Sequence, residues 1–304
     1  MKRCLNCMEE YQEKEEACPY CKGQGVSAPA DAMEAGGILD GRYIAGTFRC
    51  RGDNDFWYIG WDALFCRRVL VMEYFPRRMA WRTADGGVKA QDAEGKDYAG
   101  SLGRFVEDSR KLISLDGTPG LLNVLAVAED RGSAYAILEY PEGDSLQQLL
   151  GDQDVCPPEQ VQWLVQELSV PLSAAHRLGV CHGQIRGERI FISPDGCCQI
   201  GGFCGSLPGK DRQSGIEKDI RALANLAGSL LAGRQRWAGK TFEENLRFLG
   251  QSVPECITDA LRAALGEDRD RRPGSIRRFA DLFLDEATIE MYPGQGEQIG
   301  REQE

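Results

Sequence analysis

Between Tyr43 and Val71, short runs of aromatic and β-branched residues alternate with turn signals, as in Phe56-Trp57-Tyr58-Ile59 and Val69-Leu70-Val71, which predicts an antiparallel sheet. Beyond it the hydrophobic period lengthens. Leu102, Phe105, Val106, Leu112 and Leu115 fall near one face of a helix over 102–115, and Ala134-Tyr135-Ala136-Ile137-Leu138 reads as a buried strand. Amphipathic helices are predicted for 157–176, 219–232, 257–265 and 276–285, the first opening on the Pro157-Pro158 pair that helix N-termini favour. A β-rich front and an α-rich back predict an α+β chain in two lobes. No internal repeat is visible.

The 304 residues, 42% apolar and 27% charged, have the length and composition of a folded globular chain. Lys and Arg total 36 against 47 Asp and Glu, so a net charge of −11 opposes binding to nucleic acid or to an anionic membrane surface. The longest nearly apolar stretch, 222–233, falls short of the roughly 20 residues of a membrane helix, and the N-terminus lacks the apolar core of a signal peptide. A cytoplasmic location without a membrane segment is expected.

Four of the twelve cysteines lie within the first 21 residues. Cys4-Leu-Asn-Cys7 and Cys18-Pro-Tyr-Cys21 are two CxxC turns separated by ten residues, each able to aim two thiolates at one tetrahedral zinc. A redox dithiol needs a βαβ context that so short a segment cannot supply. Four thiolates leave no open coordination position, so Cys4, Cys7, Cys18 and Cys21 are expected to hold a structural zinc. Five Glu and one Lys between Met8 and Ala17 speak against a nucleic-acid finger. The remaining cysteines read as reduced, core-filling thiols. Cys197 and Cys198, with Cys181, His182 and Cys204, are a poor second metal site, because adjacent residues on a strand face opposite ways.

Six ordered motifs then resemble the bacterial Ser/Thr protein kinase family, over roughly 39–286. They are Arg42-Tyr43, the run Val69–Pro76, Leu138-Glu139-Tyr140-Pro141-Glu142-Gly143, the run His176–His182, Asp219-Ile220-Arg221-Ala222-Leu223 and Arg271-Arg272-Pro273-Gly274-Ser275. The resemblance implies a two-lobed kinase-like domain over 39–287, after a zinc-ribbon-like knuckle at 1–22 and a linker at 23–38, with a disordered tail at 288–304. It also places an adenine-binding hinge at Glu139 and Tyr140.

The same resemblance marks where this chain departs. Cys50-Arg51-Gly52-Asp53-Asn54-Asp55 stands at the Gly-rich phosphate loop with both outer glycines replaced, and its two aspartates read as a solvated acidic turn. Met72 replaces the third-strand Lys, Asp108 aligns with the helix Glu, and Arg49 or Arg51 is a candidate substitute cation. In the catalytic loop, Gln184 stands for the base Asp, Arg186 keeps the sign of the Lys, and Arg189 replaces the metal-binding Asn. Gly202 replaces the Asp of DFG. Only 16 residues separate Gly202 from Asp219, too few for an ordinary activation segment, and Glu217 is a candidate partner for Arg272.

Packing positions survive: His182, Phe203, Asp219, Gly179 and Glu188 match the family's loop formers and interlobe column. The combination implies a pseudokinase acting as a protein-binding or regulatory scaffold in signalling, with structural zinc and without ATP and magnesium. The alternatives are a weakly active or unconventional ATP-dependent Ser/Thr kinase, and a nucleotide-binding sensor.

Overall fold

A computed structural model of the chain describes residues 1–23, 25–91, 95–151, 155–204 and 212–284. The chain opens with two short strands, β1 (Lys2–Arg3) and β2 (Glu10–Tyr11), which pair antiparallel around the first CxxC turn. Then come β3 (Ile38–Leu39), β4 (Tyr43–Arg51), β5 (Asp55–Asp62), β6 (Arg67–Tyr74), the small hairpin β7 (Ala80–Arg82) and β8 (Val88–Ala90), helix α1 (Lys96–Ile113), and strands β9 (Val124–Asp130) and β10 (Ser133–Glu139). One antiparallel sheet has the order β3-β4-β5-β6-β10-β9, forming the first lobe.

Strand β5 is buried along nearly its whole length, so both faces of the sheet are covered. Side chains alternate. Asp55 and Trp57, with Met72 and Tyr74 opposite them on β6, face the second lobe, and Tyr74 stacks on Phe105 of α1 at 5.1 Å. The other face carries Phe48, Phe56 and Tyr58, which pack edge-on at 6.0 and 6.4 Å from Phe48.

Within the segment at 23–38, read from sequence as a linker, Met33 and its neighbours cover that aromatic face. Met33 is 5% exposed, and its N–H donates to Tyr58 Oη at 2.8 Å. Tyr58 donates in turn to Glu73 Oε2 at 2.8 Å, and Arg82 grips the same carboxylate with two donors at 2.9 and 2.7 Å. Arg82 Nε also donates to the Asp31 carbonyl at 2.9 Å. Glu73, fully buried, thus has its charge paired and its oxygens bonded, as a buried carboxylate requires. Its partners are Tyr58 and Tyr135 of the sheet, the latter at 3.2 Å, and Arg82 of the β7–β8 hairpin, while Asp31 and Met33 hold Arg82 and Tyr58 in turn, an arrangement the sequence reading did not foresee.

The second lobe contains β11 (Asp144–Ser145), α2 (Leu146–Leu150), α3 (Pro158–Arg177), β12 (Ile190–Ile192), β13 (Cys198–Ile200), α4 (Arg212–Ala232), α5 (Arg234–Gly239), α6 (Phe242–Leu249), α7 (Glu255–Leu265) and α8 (Ile276–Phe283). Ser145 and Thr241 begin α2 and α6 with reciprocal capping boxes to Gln148 and Glu244. Helix α8 buries Phe279 and Phe283 completely against α3 and α7. The predicted helices are present, α1 starting earlier and α8 stopping sooner than their apolar stripes suggested; α5 and α6 are too short for periodicity to reveal. Among the described residues, no helix is long and apolar enough to cross a membrane. The expected tail at 288–304 and residues 205–211 of the short activation segment lie outside the described residues.

Candidate functional site: an ion-paired cleft and a four-cysteine knuckle

The loop between α3 and β12 is held from below by one carboxylate. Asp219 accepts the backbone N–H of His182 and of Gly183, each at 2.7 Å, and His176 Nε2 lies 2.8 Å from the same side chain. His182 packs on Phe203 with ring centroids 4.6 Å apart and meets the Gly201 carbonyl at 3.0 Å. Burial drives the His182 imidazole down to about 3, against the pull of Asp219, so it stays neutral and acts as a packing group. Gly179 takes φ +78°, ending α3 in the left-handed region. At the far side of the loop, Arg272 lies 3.9 Å from Glu217, a long ion pair between the two residues matched from sequence.

Above this loop the β4–β5 turn comes down into the space between the lobes. Asp53 is 80% exposed, as a solvated turn residue should be, but Asp55 is not. Asp55 is buried and receives Arg189 Nη2 at 2.6 and 2.7 Å from its two oxygens, with Arg189 itself 1% exposed. The expectation of a solvated acidic turn therefore fails at Asp55. As the first residue of β5 it points inward by strand alternation, and Arg189 supplies the charge that makes burial tolerable. Trp57 Nε1 donates to Asp55 Oδ1 at 3.1 Å, and the Arg189 guanidinium lies 5.5 Å from the Trp57 ring centre. A further Arg189 donor goes to the Gly202 carbonyl. Although burial alone would lower it, the Asp55 charge holds the Arg189 guanidinium above its ordinary range.

Gln184 completes the cluster. Its Oε1 accepts the Asp53 N–H at 3.0 Å, Arg186 at 3.0 Å and Arg189 at 3.1 Å, while its Nε2 donates to Asp55 Oδ2 at 3.3 Å. A carboxylate at 184 would set a second negative charge against Asp55; an amide accepts on one atom and donates on the other. Two glycines make room for this packing. A Cβ on Gly52 would lie 2.2 Å from Arg189 Nη2 and 2.3 Å from Gln184 Oε1, and one on Gly202, at φ +83°, would lie 2.2 Å from Trp57 Cζ2. Asp55, Trp57, Gln184, Arg189 and Gly202 therefore form one buried cluster joining the lobes. Beside it, burial and then the Asp55 charge push the Cys204 thiol well above its usual range, and burial pushes Cys50 up to about 12.

The remaining positions singled out from sequence lie outside this cluster. Met72 is 1% exposed and pairs across the sheet with Trp57, offering a thioether. Asp108 on α1 meets Lys111 of its own helix at 3.7 Å. Arg49, a candidate substitute for the missing Lys, turns the other way and binds Asn6 of the knuckle, and Arg51 is exposed. Arg49 is thus taken up by the knuckle and Arg51 by solvent, and neither stands beside Met72 in place of the Lys. At the hinge, the Glu139 N–H donates to the Asn123 carbonyl at 2.9 Å, Tyr140 lies under Arg68 at 5.3 Å, and Pro141 has no N–H. An adenine edge, which needs both a donor and an acceptor, finds few free donors there.

The knuckle brings Cys4, Cys7, Cys18 and Cys21 together, with all four sulfurs within 4.8 Å of one another. Cys4 and Cys21 are 3.6 Å apart, as are Cys7 and Cys18. A tetrahedral zinc with bonds of about 2.3 Å has sulfur edges of about 3.8 Å, so the donor set fits that ion. The Asn6 N–H to Cys4 Sγ contact of 3.4 Å is of the kind that steadies a metal thiolate. His176, Cys181 and Asp219 also cluster, but Asp219 is already committed to two backbone N–H groups.

No family model matches the chain. Among curated proteins, the Ser/Thr protein kinase PknL of Mycobacterium bovis is 28% identical over 176 residues, 57% of this chain but 39% of PknL. Among solved structures, the Mycobacterium tuberculosis PknI kinase domain superposes with a TM-score of 0.60 at 20% identity, covering 86% of this chain and all of that domain. The fold is the protein-kinase fold. PpkA-294 in its apo form matches this kinase-like chain equally well, with a TM-score of 0.60 at 19% identity over 84% of it. Measured against that kinase fold, the Asp55–Arg189 cluster stands where the sequence resemblance puts the phosphate loop, the metal-binding Asn and the DFG Asp. Trp57 falls two residues past the last glycine position of the loop, where the family pattern has Val.

Proposed function

We propose that the chain is a pseudokinase: a kinase-like scaffold that binds protein partners through a two-lobed surface, with a structural zinc in its N-terminal knuckle. The observation that carries the reading is the buried Asp55–Arg189 pair. Kinase chemistry needs cations gripping the nucleotide phosphates and acids holding magnesium. Here the acid and the cation neutralise each other, Gln184 cannot take a proton at neutral pH, and an indole fills the adjoining space. Admitting Mg·ATP requires breaking the pair and exposing two unpaired charges, which is strongly unfavourable. Binding energy for partners then comes from a fixed interlobe geometry that no nucleotide sets.

Thermal unfolding with ATP, with and without Mg²⁺, tests this. A ligand at one hundred times its Kd stabilises by about 2.7 kcal/mol, or roughly 5–10 °C in a domain of this size. We expect less than about 1 °C from millimolar ATP and no dependence on magnesium. A magnesium-dependent shift of several degrees, together with transfer of labelled phosphate by the pure chain, overturns the reading.

A further inference from the structure

The β4–β5 hairpin that delivers Asp55 to the cleft is gripped away from its turn by the knuckle. Thr47 of β4 turns its N–H away from the sheet at a register break between Ala45 and Phe48, and donates to the Leu5 carbonyl at 2.8 Å. Thr47 Oγ1 donates to Asn6 Oδ1 at 2.9 Å, and Arg49 reaches both the Asn6 side chain and its carbonyl. Leu5 and Asn6 are the two residues between Cys4 and Cys7, so the metal-binding turn itself makes these bonds. The approach is close enough to demand glycine: a Cβ on Gly46 would lie 2.2 Å from Met8 Cε and 2.3 Å from the Leu5 carbonyl oxygen. Met8 is 1% exposed, wedged against that glycine. Arg3 stacks on Trp61 of β5 at 3.6 Å, so the second strand of the hairpin is held too. Just beyond Arg49 the same hairpin enters the cleft, where Asp53 and Asp55 bond Gln184 and Arg189.

We propose that the knuckle is a brace for the interlobe ion pair, acting through β4, so that the zinc-binding state of the four cysteines sets how firmly the cleft is closed. This rests on the zinc reading of the cysteines given above. Without the metal, the Cys4–Cys7 turn loses the bonds that fix its backbone, and the Leu5 and Asn6 acceptors no longer hold Thr47 and Arg49 in place. The hairpin then keeps its sheet partner β6 but loses its outer support, and the Asp55–Arg189 contact opens more often. The regulated surface is the interlobe cleft, and the regulating ligand is a divalent zinc ion.

The test is hydrogen exchange by mass spectrometry on the full chain, zinc-loaded and after chelation, with zinc content measured in both. Exchange is expected to accelerate at 1–22 and 46–57 and, as the deciding signal, about tenfold at 182–189 in the second lobe, while α8 at 276–283 stays unchanged. Gly46→Ala and Asn6→Ala, neither a metal ligand, should accelerate 182–189 in the same way with one zinc still bound. If the chain binds zinc but chelation and both variants leave 182–189 unaltered, the brace is refuted while the zinc site stands. If the purified chain never binds zinc, the zinc reading and the metal-dependent part of the proposal both fail. The two variants then decide the bracing contact alone.

Discussion

Removing one member of the cleft ion pair should harm the protein more than removing both. Asp55 and Arg189 are each almost fully buried, with a nitrogen 2.6 Å from an oxygen. Charge centres about 4 Å apart at an effective dielectric constant near 20 attract by about 4 kcal/mol, close to the 3–5 kcal/mol measured when one partner of a buried pair is deleted. Arg189→Met leaves a carboxylate facing uncharged donors, the Gln184 amide, the Trp57 indole and the Cys204 thiol; Asp55→Leu leaves a guanidinium with the Gly202 carbonyl and Gln184 Oε1. Each single change is expected to cost about 3–5 kcal/mol, and the double replacement less than about 2 kcal/mol, because two apolar side chains fill the space without stranding a charge. The assay is a double-mutant cycle by urea denaturation, with a coupling energy of at least about 2 kcal/mol expected. Single variants each losing under about 1 kcal/mol, with additive effects, would show the charges to be hydrated and the cleft open in solution, and the argument for a nucleotide-free scaffold would lose its foundation.

Two further outcomes follow from other buried groups. Arg82→Met should destabilise by about 3–5 kcal/mol, since Glu73 would keep only its tyrosine donors; a calorimetric loss below about 1 kcal/mol would mean that water reaches that carboxylate. His182, neighboured by Asp219, Arg189 and His176, is pushed down to about 3 in the folded chain from an ordinary value of 6.5. Its neutral form is therefore the folded one, so stability is unaffected above pH 6.5 and falls as the unfolded state gains a proton, by about 1.4 kcal/mol per pH unit below that. Urea midpoints at pH 7.5, 6.5 and 5.5 should show that extra slope in the native chain and not in His182→Phe; parallel slopes would contradict it.

The lobes were legible because their evidence is repetitive. An apolar stripe on each long helix and dense aromatic strands near the front survive small errors of register, and the ordered motifs fixed their sequence. The knuckle was legible for a different reason: four thiolates in two tight turns have few other uses. Asp55 was not, because burial here turns on where the turn ends and β5 begins: Asp53 lies in the turn and is exposed, whereas Asp55 opens the strand and is buried. A signal was present all the same. Asp55 and Arg189 depart from the family pattern at positions expected to meet, and they depart with opposite charge. The segment at 23–38 misled through its Gly, Ala, Ser and Pro content, although the unbroken apolar run Phe56-Trp57-Tyr58-Ile59 already called for a cover on the second face of the sheet. Arg49 misled because nothing in its spacing says toward which side of a bulged strand it turns.

The covering segment also has a practical consequence for anyone shortening this chain to its lobes. A fragment starting at residue 39 would match the usual outline of the fold, yet it would strip the Tyr58 hydroxyl of the Met33 amide, deprive Arg82 of the Asp31 carbonyl and unpair Arg77 from Asp31. Phe48, Phe56 and Tyr58 would be laid open to water on the side facing away from the cleft. Such a fragment would present a sticky aromatic sheet, and any partner it captured would report on the cut and not on the protein.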